Sequence, residues 1–340
     1  MATRDRRRRR IGKSAAAAAW LALLVIAAAP SAAAGTILER RTTPSDEAVP
    51  ALAYSVYLPP GYDAESARRF PVLYLLHGYG ASDREWLEAA DLPAVLDGLI
   101  AAGEIAPVIA VMPDAGKSWY VDSAANDGEA AAYETAIVED LVAEVDARFR
   151  TRADPAARAV TGVSMGGFGA LRLAFKRPDE FGAVVAFSPG LFKPGGLSWR
   201  HGPAGERRAT RERWYADTFG DPFDIDVYTG QSPFAYVDHV AAAVPSPEIM
   251  LIVGDDDFFG SHDGTLEMYL ELRRHGLKPA LRVGDGGHDW TFWRAMLPEA
   301  LRFIDRRRRT GDIVHADAAR SAPPPAERPT GPRPQASSGG

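Results

Sequence analysis

Ala159-Val160-Thr161-Gly162-Val163-Ser164-Met165-Gly166-Gly167-Phe168 is the stretch whose reading decides the fold. Ala159 to Val163 read as a short buried strand, and Phe168 to Phe175 as a helix with Pro178 just beyond it. Between them, Gly162 to Gly166 fit G-x-S-x-G, in which a serine sits on a sharp strand-to-helix turn. Small residues on either side let the backbone bend. The first N–H groups of the following helix face charge that develops beside the serine. The pentapeptide alone is a weak signal; the strand before it and the helix after it give it weight.

The same alternation extends in both directions. Ala51 to Leu58 read as a strand, closed by Pro59-Pro60-Gly61. Val72 to Leu76 is a continuous apolar run, as expected of a central parallel strand covered on both faces. A helix is expected over 86–101, with Pro93 near its start or at a break, and a strand over Pro107 to Met112. Tyr133, Ile137, Leu141, Val145 and Phe149 recur at helical spacing within 129–149. Further strands are read at Gly182 to Phe187, Ile249 to Val253 and Ala280 to Val283, with helices over 264–275 and 290–305. This pattern predicts an α/β fold with a mostly parallel central sheet and helices on both faces. Residues 189–235 break the rhythm and read as an insertion over the loop end of the sheet. Their aromatics, Trp199, Trp214, Tyr215, Phe219, Phe223 and Tyr228, fit either a pocket wall or a satellite core.

A serine hydroxyl needs a base and a group to orient that base. Of seven histidines, His288 stands in Gly286-Gly287-His288-Asp289-Trp290, after the final strand, where the order Ser, Asp, His requires it. The acid belongs at the end of the preceding strand, where Asp255, Asp256 and Asp257 all qualify. That trio also has the hard oxygens of a calcium site, but its spacing does not satisfy the D-x-[DN]-x-[DN]-G loop, so no metal is expected. Two backbone N–H groups should bind the oxyanion, those of Met165 and of a residue around Tyr79, in the loop His77-Gly78-Tyr79-Gly80.

The formal net charge is −6; residues 1–34 contribute +6, with seven basic residues against Asp5, so the remainder carries −12. An acidic body argues against nucleic acid as a partner. The chain has no cysteine, which removes thiol nucleophiles and thiolate metal sites. Arg6 to Lys13, the apolar run Ala15 to Ala29, and Ser31-Ala32-Ala33-Ala34-Gly35 follow the order of a cleavable export signal, so 1–34 is read as an address. The apolar run is short for a membrane span, and no stable insertion is expected after cleavage. The arginines also permit the twin-arginine route. Residues 35–49 are read as a linker, 50–308 as one domain, and 309–340, rich in Pro and Ala, as a disordered tail.

Five blocks together resemble the esterase D-like family of α/β-hydrolases. They are Leu75 to Gly80; Met112-Pro113-Asp114 with Ser118-Trp119-Tyr120; Gly162 to Gly169; Gly254 to Phe258; and Gly286 to Trp290 with Phe292-Trp293. The family includes feruloyl and other carbohydrate esterase domains, S-formylglutathione hydrolases and the mycolyltransferases of the antigen 85 complex. The resemblance, over about 50–305, implies the α/β-hydrolase fold. It implies Asp257, before Phe258, as the acid beside Ser164 and His288, with Tyr79 and Met165 as the oxyanion donors. It also implies a substrate pocket near Asp114, Trp119 and Tyr120. The expected activity is that of a secreted or cell-wall-associated serine esterase, working through an acyl-enzyme on a small-molecule or carbohydrate-linked ester, with no cofactor. An acyltransferase that passes the acyl group to a sugar hydroxyl is the alternative, although the transferases tend to carry aspartate before the glycine where this chain has His77. An inactive cell-wall or carbohydrate-binding scaffold is a further alternative.

Overall fold

The computed structural model describes residues 34–44, 51–123, 131–196 and 206–321. In chain order the strands are β1 (Thr36–Thr42), β2 (Ala53–Leu58), β3 (Val72–Leu76), β4 (Ile109–Pro113), the short pair β5 (Asp122–Ser123) and β6 (Ala131–Ala132), β7 (Arg158–Val163), β8 (Ala183–Phe187), β9 (Glu248–Gly254) and β10 (Ala280–Gly284). The helices are α1 (Glu85–Glu88), α2 (Leu92–Ala101), α3 (Tyr133–Thr135), α4 (Val142–Arg148), α5 (Met165–Lys176), α6 (Glu206–Phe219), α7 (Ile225–Gln231), α8 (Val237–Ala242), α9 (Ser261–Arg274) and α10 (Trp290–Ser321). A π-helical turn, Ala136–Leu141, joins α3 to α4.

Eight strands form one sheet in the order β1-β2-β4-β3-β7-β8-β9-β10. β1 and β2 are antiparallel to their neighbours; the pairings from β4 through β10 are parallel. Every residue of β3 is buried, and its side chains alternate between two cores. Val72, Tyr74 and Leu76 join the cluster that includes Phe168 and Leu171 of α5 and Met268 of α9. Leu73 and Leu75 join the cluster with Leu92 and Leu96 of α2 and Phe292, Leu297 and Ile304 of α10. Period-two alternation with apolar residues on both sides is what a sheet sandwiched by helices demands. The fold is the α/β-hydrolase fold, with the segment after β8 inserted between strands.

The structure corrects several boundaries. Residues 35–49 are not a plain linker, because β1 lies there as an edge strand on β2. Its sequence, Thr-Ile-Leu-Glu-Arg-Arg-Thr, lacks clean alternation, and its register shifts between Leu38 and Arg41 around Arg40, whose φ is +47°. Pairing partners and the buried Asp83 hold it: Asp83 accepts from Ser55 Oγ at 2.6 Å and from Arg40 at 3.3 Å. The helix expected over 86–101 is two helices, broken where Asp91 adopts φ +52°, with Pro93 in the first turn of α2. α10 runs to Ser321, past the change of composition at Arg309. The remaining tail calls, residues 322–340, and the whole of 1–33 lie outside the described residues. Among the described residues no helix is long and apolar enough to cross a membrane.

Candidate active site

Ser164 stands between β7 and α5 with φ +56° and ψ −114°. A non-glycine residue in such a conformation costs about 1–3 kcal/mol and persists only when its surroundings hold it. Here the Ser164 N–H donates to Phe187 O at 2.9 Å, and Ser164 O accepts from Phe168 N and Gly190 N at 3.0 Å each. The flanking glycines are required by contact. A Cβ on Gly162 would lie 2.3 Å from the Gly166 backbone, and one on Gly166 would lie 2.3 Å from Leu76 O and 2.7 Å from His77 O. The first turn of α5 is therefore pressed against β7 and against the loop that leaves β3.

His288 Nε2 lies 2.9 Å from Ser164 Oγ, and His288 Nδ1 lies 2.7 Å from Asp257 Oδ2. A carboxylate only accepts, so Nδ1 carries the proton and Nε2 offers its lone pair to the serine hydroxyl. The other oxygen of Asp257 accepts from Phe259 N at 3.0 Å and Ser261 N at 3.4 Å. Asp257 is buried; Asp255 and Asp256 are exposed and gather with Asp285 instead. Burial and backbone donors thus single out one carboxylate of the three. Trp293 stands edge-on to the imidazole at 5.0 Å, and its indole N–H is tied to Ser188 Oγ at 3.0 Å.

Met165 opens α5, so its N–H belongs to the first turn, which has no acceptor within the helix. The loop that bears Tyr79 is fixed from behind by His77. Ala115 N–H donates to His77 Nε2 at 2.9 Å, which leaves the ring proton on Nδ1. That proton goes to Gly78 O at 2.7 Å. Gly78 O and the Tyr79 N–H share one planar peptide, so holding the oxygen aims the N–H. Burial pushes the His77 pKa below its ordinary value, which keeps the ring neutral and able to accept from Ala115. Glu85 completes the clamp, accepting from Gly78 N at 2.6 Å and from Trp290 Nε1 at 3.1 Å. One carboxylate thus links the Tyr79 loop to the loop of His288. Nothing in the sequence around Glu85 marks it; its role comes from two chain segments about two hundred residues apart in sequence.

The three residues expected to shape a substrate pocket separate. Tyr120 is wholly buried, and its hydroxyl donates to His77 O at 2.9 Å. It supports the loop from the core side, and both Trp119 and Tyr120 have positive φ, +53° and +58°. Trp119 is 3% exposed, stacked on Tyr215 at 4.0 Å, with its indole N–H on Trp214 O at 2.9 Å. Asp114 is part-exposed and accepts from Gly116 N at 3.2 Å.

The aromatics of the insertion split between core and rim. Tyr215, Phe219 and Tyr228 are buried and pack with Phe168 and Phe192 as part of the same core that covers β3, with Phe223 partly buried against it, so they form no separate satellite. Trp214 turns outward, stacks on Tyr79 at 5.1 Å and meets Phe259 at 5.0 Å. Phe259 in turn lies 4.7 Å from the His288 ring. Tyr79, Trp214 and Phe259, with the exposed Phe258, make an aromatic rim beside the serine. Trp199 lies outside the described residues.

A family model described as "Putative esterase" matches residues 51–304. The chain belongs to this esterase family. Among the family's relatives, an endo-1,4-beta-xylanase/feruloyl esterase of Xylanibacter ruminicola is 34% identical over 143 residues, 41% of this chain and 20% of that protein. An acetyl esterase of Caldicellulosiruptor saccharolyticus is 27% identical over 69% of this chain and 83% of its own length. A solved ferulic acid esterase superposes with a TM-score of 0.66 at 28% identity, covering 81% of this chain and 99% of its own. The chain spans only a fifth of the length of the xylanase/feruloyl esterase. The family match over residues 51–304 and the order of the strands agree on the α/β-hydrolase fold.

Proposed function

We propose that the protein is an exported serine esterase that hydrolyses carboxylic esters through an acyl-enzyme. The observation that carries this reading is the unbroken line from Ser164 Oγ through His288 to Asp257, at 2.9 and 2.7 Å. His288 takes the hydroxyl proton as Ser164 attacks the ester carbonyl, and Asp257 steadies the imidazolium that forms. The N–H groups of Met165 and Tyr79 receive the oxyanion. The protonated His288 then gives its proton to the leaving alcohol, and the acyl group stays on Ser164. Water enters, loses a proton to His288, and releases the acid. The chemistry uses side chains and backbone alone, so the reading includes no cofactor.

The rim of Tyr79, Trp214 and Phe259 supports an ester with a flat aromatic acyl group or a sugar on the alcohol side, since both stack on aromatic faces. The relatives named for feruloyl and acetyl esters bracket the acyl sizes to test. The export reading rests on the order of basic, apolar and small residues in 1–34.

The test is a series of nitrophenyl and methyl esters with acetyl, long-chain and hydroxycinnamoyl groups, run with Ser164→Ala and with and without a sugar acceptor. Turnover in the natural protein that vanishes in the variant supports the reading. Turnover that survives there refutes it. Acylated sugar formed in place of free acid would reassign the enzyme as a transferase.

A further inference from the structure

The small-residue run Ala32-Ala33-Ala34 ends at Gly35, one residue before β1 begins. In the structure Ala34 is exposed, and the Gly35 nitrogen is not loose. It lies 3.1 Å from both carboxylate oxygens of Asp97, on α2. The Tyr57 hydroxyl, from β2, donates to the same carboxylate at 2.6 Å. Only glycine fits there: a Cβ on residue 35 would lie 2.2 Å from Tyr57 Cε2 and 2.8 Å from Leu58 O. A peptide N–H has one hydrogen to share between two carboxylate oxygens. An ammonium has three, and a full charge.

We infer that the chain is cut between Ala34 and Gly35, and that Asp97 and Tyr57 form a seat for the new N-terminal ammonium. A leader peptidase adds water across the Ala34–Gly35 peptide bond; the oxygen goes to the Ala34 carboxylate, and Gly35 leaves as the ammonium. Small residues at the first and third positions before the cut, Ala34 and Ala32, are what such an enzyme requires. The seated ammonium clips the edge strand β1 to α2. The titratable groups that meet it are Asp97 from α2, bonded to the nitrogen, and Tyr57 from β2, bonded to that carboxylate. Burial and the Asp97 carboxylate push the Tyr57 hydroxyl well above its ordinary range, so it stays protonated and keeps donating. The carboxylate favours the charged amine, so the folded α-amino pKa rises above its free value of about 7.7–8.0. The stabilisation is complete below that free value and is lost as pH rises through the folded one.

This inference rests on the export reading, and two measurements separate them. The full chain is expressed in a secreting host and the released protein is sequenced from its N-terminus. The expected start is Gly35-Thr36-Ile37; a start elsewhere overturns the assigned cut, and an uncut chain overturns the export reading with it. The seat is then tested on the cut protein by the rate at which a succinimidyl ester acylates Gly35 near pH 7, followed by mass spectrometry. Asp97→Asn should speed acylation roughly tenfold, the equivalent of one pKa unit. Equal rates overturn the seat while leaving the cut intact. Should Asp97→Asn fail to fold, the natural protein serves alone. Once acylated at Gly35, it should lose the fall in Tm with rising pH around pH 8 that the free protein shows. Identical Tm profiles before and after acylation overturn the seat.

Discussion

Two parts of the site are held in different ways. The floor is Ser164, His288 and Asp257, at the ends of β7 and β9 and in the loop after β10. Backbone hydrogen bonds, glycine contacts and a buried carboxylate fix each side chain. The rim is Tyr79, Trp214, Phe258 and Phe259, drawn from two loops and the inserted α6. Its side chains meet one another through ring contacts, with ties such as Tyr79 Oη to Asp217 at 2.9 Å. The proposed chemistry stands at strand ends, while the rim beside it combines two loops with one residue of the insertion. The floor therefore tolerates little change, while the rim is free to vary with substrate.

The sharpest way to break this comparison is at the floor. Ser164→Ala is expected to lower kcat on the order of 10⁴–10⁶-fold with the fold intact, read by ester turnover beside circular dichroism. Asp257→Asn keeps the shape but turns the imidazole to the wrong tautomer, so a loss of about 10⁴-fold in kcat is expected. A similar loss in Asp255→Asn, with Asp257 intact, would mean that the wrong carboxylate has been named.

Glu85→Gln tests the clamp between floor and rim. The variant keeps an acceptor but loses the charge that holds Gly78 N–H and Trp290 Nε1. Losing one oxyanion donor outright costs about 10²–10³-fold. Misaiming one should cost less, roughly tenfold in kcat with KM nearly unchanged. A change in KM alone would reduce Glu85 to a structural role.

Trp214→Ala probes the rim. Loss of one stacking partner, worth about 0.5–1.5 kcal/mol, should lower kcat/KM for a hydroxycinnamoyl ester several-fold and leave an acetyl ester almost unaffected. Equal losses on both esters would place Trp214 with the floor. The smallest effect is expected at Glu271, on α9, which pairs with Lys193 of the insertion and with Arg274. Those cations, led by Lys193, hold its carboxyl below the usual range. Its folded pKa is depressed, so its contribution is present above the unfolded pKa and fades as pH falls through the folded one. Glu271→Gln should cost less than about 1 kcal/mol at neutral pH, nothing at strongly acidic pH, and no activity.

Reading the chain forward, the pleated and sandwiched elements were the most legible. Val72 to Leu76 and Ala159 to Val163 announce themselves because both of their faces are covered, so their positions are apolar or, at Thr161, carry a hydroxyl that donates to Val185 O. The edge strand β1 does not, because its pairing with β2 and the hydrogen bonds of the buried Asp83 leave no mark on its side-chain pattern. Asp91 broke a helix that periodicity alone would run through. Among site residues, Ser164 and His288 were marked by glycines whose absence of side chain the local turn requires. Asp257 needed the family resemblance, because three adjacent aspartates differ only in where the folded loop points them. The family resemblance implies a pocket position for Tyr120, and its burial with its hydroxyl on His77 O is visible only in the folded chain.

Sequence by itself determined the alternation of strand and helix, the serine at its turn and the late histidine, since periodicity and steric demand are local properties written residue by residue. Tertiary structure alone decided which aspartate meets the imidazole, that Glu85 joins two distant loops, and which aromatics face outward. Those depend on distances between segments far apart in the chain, and burial, charge pairing and peptide orientation take their values only once the segments have met.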